Sequence, residues 1–191
     1  MAETPSTMLA LGTALPAFSL PDLNGRSVSE KDFPNAPALV VAFICPHCPY
    51  VKHVRKGFAQ LARDYAPQQV AVLAINSNDA STHPDDDVAG MKREASEAGY
   101  SFPYLHDESQ EVAKRFFAAC TPDFFVFDRD RKLAYRGQFD GSRPNSLTPV
   151  TGADLRAALD AVVAGKTVPI AQIPSVGCNI KWKRGNAPSY A

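Results

Sequence analysis

Ala38-Leu39-Val40-Val41-Ala42-Phe43-Ile44-Cys45-Pro46-His47-Cys48-Pro49 decides how this 191-residue chain is read. The apolar run before Cys45 is rich in branched residues, the pattern of a strand buried on both faces. After Pro46 the apolar positions Val51, Val54, Phe58, Leu61 and Tyr65 recur at helical spacing until Pro67. Cys45 and Cys48 therefore fall at a strand-to-helix junction. Unpaired N–H groups and the positive end of the helix dipole stabilise a thiolate there, and the thiolate is the reactive form of cysteine. The i, i+3 spacing brings the second thiol near the first. On this reading Cys45 is the exposed nucleophile, Cys48 is shielded, and His47 adds positive charge beside them.

Working outward, the pattern predicts a single α/β domain. A hairpin spans Ala17 to Val28 around Asp22-Leu23-Asn24-Gly25, whose Gly tolerates a positive φ. Val70 to Ile75 reads as a second buried strand. Asp85 to Ala98 reads as a helix that starts on three acidic residues and stops at Gly99. Phe102 to Leu105 is a short edge segment, and Ser109 to Ala118 a helix with Val112, Ala113, Phe116 and Phe117 inward. Phe124 to Phe127 and Leu133 to Phe139 form two strands, the second alternating as a half-exposed strand does. Asp154 to Val163 is the last helix. Gly141 to Thr151 and the tail from Lys166 to Ala191 lack periodicity, so the core is placed at about residues 12–165 and the tail is expected to be irregular.

Composition narrows the function classes. Twenty basic and twenty acidic residues cancel, and 45% of the chain is hydrophobic with 21% charged. Nothing in that balance suggests a nucleic-acid or membrane-surface partner. Met1 to Leu20 carries no basic segment followed by an apolar one, and no stretch approaches the roughly 18 apolar residues of a spanning helix. These features imply a cytoplasmic chain. Four cysteines in a cytosolic chain of this length point to redox or metal chemistry rather than to a disulfide framework. Cys120 and Cys178 stand alone in sequence and read as small buried apolar residues.

Three segments carry a family resemblance. Gly12 to Gly25 resembles the N-terminal hairpin of peroxiredoxins and of membrane-tethered thioredoxin-like reductases. Cys45 to Cys48 resembles the redox motif after the first core strand. Thr121-Pro122-Asp123-Phe124-Phe125-Val126-Phe127-Asp128 resembles the loop with the family's cis-proline and the strand after it. The chain thus resembles the thioredoxin-like superfamily, in its peroxiredoxin-like branch related to the alkyl hydroperoxide reductase/thiol-specific antioxidant group. Gly177 to Lys183 is similar to tails of peroxiredoxin-like proteins, which implies no function.

The resemblance implies a thioredoxin-like fold, a central mixed sheet flanked by helices with an N-terminal β-hairpin extension. It implies a Cys45/Cys48 dithiol-disulfide couple with no cofactor and no resident metal. Thr121 and Pro122 would shape the substrate groove, while Pro46 and His47 tune the couple. Pro46-His47 is the dipeptide of oxidising DsbA-type oxidases, and a more stabilised thiolate makes a more oxidising couple. Cys120, two residues before Pro122, is an auxiliary thiol if that loop packs on the dithiol. Cys178 has no predicted element to bring it close. The partners implied are a protein or small-molecule disulfide, or a hydroperoxide, and a thiol reductant or other electron donor.

Two departures bear on activity. Peroxidatic cysteines of the family follow Pro-x-x-x-Thr-x-x-Cys, whereas the equivalent positions here are Val41 and Cys45 before Cys48, or Ala38 and Ala42 before Cys45. Thr121-Pro122 stands where the family has Arg, and Arg136 reads as a solvated charge on a half-exposed strand. The run Ala38 to Ile44 also lacks the buried carboxylate that many relatives keep under the dithiol, leaving Glu30, Asp107 or water to take the proton. A thiol-dependent hydroperoxide reductase is the first alternative to disulfide exchange. Copper handling through Cys45, His47, Cys48 and His53 is the second, although His83 and His106 sit in no supporting motif. Haem attachment is excluded because Pro49 follows Cys48, and a structural zinc site lacks two of its four ligands.

Overall fold

A computed structural model describes residues 3–191. Its elements in chain order are β1 (Glu3–Pro5), β2 (Ser19–Pro21), β3 (Ser27–Ser29), β4 (Leu39–Phe43) and α1 (Pro49–Tyr65). There follow β5 (Ala71–Asn76), α2 (Val88–Ala98), β6 (Tyr104–His106), α3 (Glu111–Arg115) and β7 (Cys120–Thr121). The chain closes with β8 (Asp123–Phe127), β9 (Leu133–Gly137), α4 (Ala153–Val163) and β10 (Val176–Asn179).

The central sheet has the order β6-β5-β4-β8-β9. Strands β4, β5 and β6 run parallel, and β8 and β9 are antiparallel. Every residue of β4 and of β8 is buried, because apolar side chains cover both faces of the sheet. Val40, Ala42, Phe124 and Val126 pack with α1 and α4 on one face. Leu39, Val41, Phe43, Phe125 and Phe127 pack with Phe116 on the other. The mixed α/β, thioredoxin-like layout expected from the sequence is therefore the one observed. No helix among the described residues is long and apolar enough to cross a membrane.

Local chemistry sets the boundaries. The hairpin β2–β3 closes where Asp22 Oδ1 accepts from the backbone N–H of Asn24 and of Arg26, with Gly25 at φ +82°. α1 starts one residue after Cys48, whose extended backbone makes it the N-cap, with Pro49 at the first helical position. α2 is shorter than expected. Pro84–Asp86 forms a 3₁₀ turn and Asp87 caps the helix, accepting from Gly90 N at 2.6 Å. α3 also stops early: Phe117 takes φ +52° and stays 46% exposed against Tyr190, rather than turning inward.

The tail corrects the sequence reading most. Residues 166–191 are not irregular throughout, for β10 forms the middle of a three-stranded sheet, β1-β10-β7. Glu3 and Thr121 flank Cys178 in register. Beyond β10, Ile180 and Trp182 join the apolar layer below the sheet. Asn78 Oδ1 accepts from Lys181 N at 2.8 Å, and Gln110 Nε2 donates to the Lys181 carbonyl at 2.9 Å. Two short edges and a few polar contacts have no hydropathy period, which is why the tail looks featureless in sequence.

Phe58 holds α1 to the sheet. It is 1% exposed, with its ring 5.0 Å from Phe102 and 5.3 Å from Phe124 between centroids. Truncating a buried Phe costs about 3–5 kcal/mol, because the cavity collapses only in part. Phe58→Ala is expected to lose stability in that range in urea titrations. A midpoint equal to the wild type's would show that α1 does not depend on this contact.

Candidate functional site

The turn from β4 into α1 carries the site. Ile44 N donates to the Ile75 carbonyl at 3.0 Å, extending the parallel pairing one residue past β4. Lys52 N donates to the Cys48 carbonyl at 3.0 Å, the first turn of α1. Facing this turn, the Thr121–Pro122 peptide is cis, as the sequence implied. Thr121 meets both sulfurs. Its Oγ1 lies 3.3 Å from Cys45 Sγ, and its carbonyl accepts from Cys48 Sγ at 3.1 Å.

Cys45 is not the exposed thiol the sequence suggested. Both Cys45 and Cys48 are 0% exposed. The loop carrying Asp86 packs on His47, the neighbour of the first sulfur, and helix-start spacing carries no information about such a loop.

That loop supplies the residue missed from the sequence. Asp86 is fully buried, and its Oδ2 lies 2.5 Å from His47 Nδ1. Its Oδ1 accepts from His47 N at 3.1 Å, and Oδ2 also accepts from Asn78 Nδ2 at 2.8 Å. His47 Nδ1 is 3.6 Å from Cys45 Sγ, and the His83 ring lies 4.7 Å from the His47 ring. In sequence Asp86 was one of three acids at a helix start, and His83 was set aside. The signal available was a run of three carboxylates when a helix needs one cap. Any positive charge on His47 is thus matched by Asp86, which corrects the picture of an isolated cation beside the thiol.

The second addition is Cys178. Cys178 Sγ is 3.0 Å from Cys48 Sγ, so β10 brings a third thiol to the pair. Cys120 is not brought in: its thiol points to the Pro122 carbonyl at 3.6 Å. Adjacent strand residues face opposite ways, so placing Thr121 toward the thiols turns Cys120 from them.

Charge is divided unevenly among these sulfurs. Burial pushes the Cys45 thiol well up, with the hydrogen bond to Cys48 and the Asp86 carboxylate adding to it. Cys48 is pulled well down, chiefly by its hydrogen bonds with Cys178 and then Cys45. Cys178 is pushed up, mainly by its hydrogen bond with Cys48 and then by burial. Of the three sulfurs Cys48 is thus the one that ionises most readily.

The proposed proton acceptors lie elsewhere. Glu30 accepts from Phe18 N, Asp107 accepts from Ser77 and Ala113 N, and Arg136 donates to Gln172. His53 bonds Ser142 rather than a thiol. Two other buried carboxyls flank the turn. Glu94 accepts from Tyr104, whose hydroxyl also reaches the Ile44 carbonyl at 3.4 Å, and burial pushes its carboxyl up to about 7. Asp123, next to Pro122, is raised to about 8 by burial.

Cys45, His47 and Asp86 each offer an atom within 4.8 Å of the others. Ligands at tetrahedral zinc distances of about 2.0–2.1 Å stand roughly 3.3 Å apart. The 2.5 Å between His47 and Asp86 is the distance of a hydrogen-bonded pair instead.

Fold and thiols together define a thioredoxin-like protein. A model of the AhpC/TSA family matches residues 11–136, and the chain belongs to that family. The solved structure of an uncharacterized conserved protein from Geobacillus kaustophilus is 53% identical, with 96% of this chain and 97% of that one covered at a TM-score of 0.93. A hypothetical protein from Sinorhizobium meliloti 1021 is 52% identical, covering 95% of this chain and 100% of its own at a TM-score of 0.94. Thiol-disulfide oxidoreductase ResA of Geobacillus thermodenitrificans (strain NG80-2) is 24% identical over 130 residues, 68% of this chain and 70% of that protein.

Two expectations follow from this geometry. A Cβ at Gly177 would lie 2.0 Å from the Thr121 carbonyl oxygen and 3.2 Å from Pro122 Cδ. Gly177→Ala therefore forces β10 off the Thr121 loop, at about 1–3 kcal/mol by analogy with overpacking. Denaturant titration and alkylation of Cys178 should show lower stability and faster labelling; wild-type values for both would mean the strand is not seated there.

Glu94 gives a pH signature. Its carboxyl binds a proton more tightly folded than unfolded, raised from 4.5 to about 7. That contribution is full below the unfolded value and lost as pH rises through about 7, and Asp123 acts with the same sign. In Glu94→Gln the fall in stability from about pH 5 to about pH 8 should shrink by about 3 kcal/mol. An unchanged slope would show that Glu94 titrates normally.

Proposed function

We propose that this chain is a thiol-disulfide oxidoreductase in which Cys45 attacks and Cys48 resolves. One observation carries the reading: a single residue, Thr121, meets both sulfurs at the N-terminus of α1, within 3.3 Å of Cys45 and 3.1 Å of Cys48. The family match and the named function of the ResA relative support it.

Cys45 gives up its proton to water, and its thiolate attacks a substrate disulfide, expelling one substrate sulfur as a thiolate. Cys48 then loses its proton and attacks Cys45, releasing the second substrate sulfur as a thiolate. Two protein thiols become one disulfide and the substrate gains two electrons. His47 lies beside Cys45, while Cys48 is the sulfur in contact with Cys178, and this arrangement favours Cys45 as the attacking sulfur. Pro46 holds the turn, and Thr121 with Pro122 forms the wall on which the substrate chain lies. The His47–Asp86 pair sets the poise of Cys45 by balancing charge beside it.

The partners are a protein or small-molecule disulfide and a thiol reductant that restores the dithiol. A cytoplasmic location belongs to the same proposal, since four cysteines in a chain of 191 residues do not form the disulfide framework that oxidising compartments favour. A hydroperoxide is the less favoured oxidant, because neither Cys45 nor Cys48 is preceded by the Pro and Thr of the peroxidatic motif that the resemblance implies.

Reduction of insulin or a model aromatic disulfide is the direct test. Cys45→Ser should lower turnover at least about a hundredfold, as expected when a nucleophile is removed. Oxidation by hydrogen peroxide should remain slow, because transition-state donors worth roughly 2.7–4 kcal/mol each are not in place. Rapid peroxide consumption with negligible disulfide reduction would replace this reading by the peroxidase.

A further inference from the structure

Cys178 is a buried nucleophile that the two-cysteine cycle leaves unused. Its sulfur is 3.0 Å from that of Cys48, and a disulfide needs about 2.05 Å. The approach is built in. β10 is paired on both edges, Cys178 with Glu3 on one side and with Thr121 on the other. Gly177 lies so close to the Thr121 carbonyl that no Cβ fits. Thr121 therefore sets the positions of three sulfurs: it contacts Cys45 and Cys48 and pairs in register with Cys178. Cys120 provides the contrast. It is equally buried and adjacent in sequence to Thr121, yet its thiol partners a carbonyl and no sulfur.

We propose that Cys178 is a third redox thiol, exchanging into the Cys45–Cys48 disulfide at Cys48 so that the oxidised protein interconverts between Cys45–Cys48 and Cys48–Cys178 bonds. The inference rests on the reading of Cys45 and Cys48 as the exchanging couple. Cys48 is the pivot, since it is the sulfur that both other thiols approach.

The step balances within the chain. Cys178 loses its proton and its sulfur bonds to Cys48; the Cys45–Cys48 bond breaks, and its electron pair leaves on Cys45. Cys45 then takes up the proton that Cys178 released. One disulfide is exchanged for another, so no outside oxidant or reductant enters. In the reduced protein the hydrogen bond with Cys48 pushes the Cys178 thiol up. Once Cys48 is bonded to Cys45 that hydrogen bond weakens, and Cys178 is freer to ionise and attack. The consequence is an oxidised protein that again presents a Cys45 thiol, with its disulfide tying the tail to the start of α1. The substrate class implied for its recovery is a dithiol reductant that attacks a bond on the β10 side of the site.

Disulfide mapping tests this on the full chain. Protein equilibrated in glutathione buffer is acid-quenched, alkylated and digested with trypsin. Wild type should yield both the internal Cys45–Cys48 peptide and a species joining that peptide to the one bearing Cys178. Cys45→Ser should still take up one disulfide, Cys48–Cys178, with a rise in melting temperature that a reductant reverses. Cys178→Ala should keep the Cys45–Cys48 bond but lose the joined species. Cys120→Ser should match the wild type in each measurement.

A Cys45–Cys48 bond that forms in wild type while the joined peptide is absent, both there and in Cys45→Ser, would overturn the proposal. Joined peptide without any Cys45–Cys48 bond, in wild type or in Cys178→Ala, would overturn it differently, by removing the couple on which it rests. The wild-type map is decisive even if a variant fails to fold.

Discussion

Thr121 is the contact on which the site depends. A peptide carbonyl and a hydroxyl from one residue meet two sulfurs that arrive from the far end of a different strand. The same residue pairs with β10, so the tail is positioned by the loop that positions the dithiol. Buried polar groups must be partnered, and here the partners of the β7 backbone and of the thiols are one another. The order of strands in the central sheet makes this meeting unavoidable. β8 lies beside β4 and antiparallel to it, so the residues before β8 stand where β4 ends.

Electrostatics refine what that geometry allows. A helix N-terminus favours a thiolate, but burial and a carboxylate oppose it at Cys45. Ionisation is easier instead at Cys48, whose hydrogen bonds with Cys178 and Cys45 pull it down. Asp86 has a double part. It fixes the His47 ring through Nδ1 and the backbone N–H, and it cancels the charge that an imidazolium would bring. Asp86 is itself held by Asn78, and Asn76 Nδ2 holds its carbonyl, so the ring is oriented by a network of buried amides rather than by a flexible surface contact. The surroundings of Cys45 are thus set by the loop after β5 as much as by the dipeptide between the cysteines.

The AhpC/TSA membership and the thiol arrangement meet at an informative point. The family match spans the hairpin, β4, the cysteine turn and the proline loop, while the positions where the resemblance implies a Thr hold Cys45 or Ala42, and Thr121-Pro122 stands where it implies an Arg. Replacing a donor set by a second sulfur changes what the site can hold still. Donors placed in advance stabilise a peroxide oxygen as it leaves, whereas neighbouring sulfurs favour exchange among themselves.

The sequence by itself determined the sheet, α1, the hairpin, the dithiol and the proline facing it. The first four rest on local rules: a continuous apolar run, a 3.6-residue period, a turn with glycine, a pair of cysteines at a helix start; the proline came from the family resemblance of Thr121 to Asp128. Only the tertiary structure decided that Cys45 is covered, that Asp86 and His83 join His47, and that Cys178 rather than Cys120 reaches the pair. Those outcomes come from contacts between residues far apart in the chain. A two-residue strand alternates its faces, so Cys120 turns away where Thr121 turns in. A four-residue strand in an aperiodic tail carries no hydropathy signal, yet backbone pairing with β1 and β7 places its cysteine to within 3.0 Å of Cys48. Periodicity reports which face of an element is buried, and it is silent on which distant element does the burying.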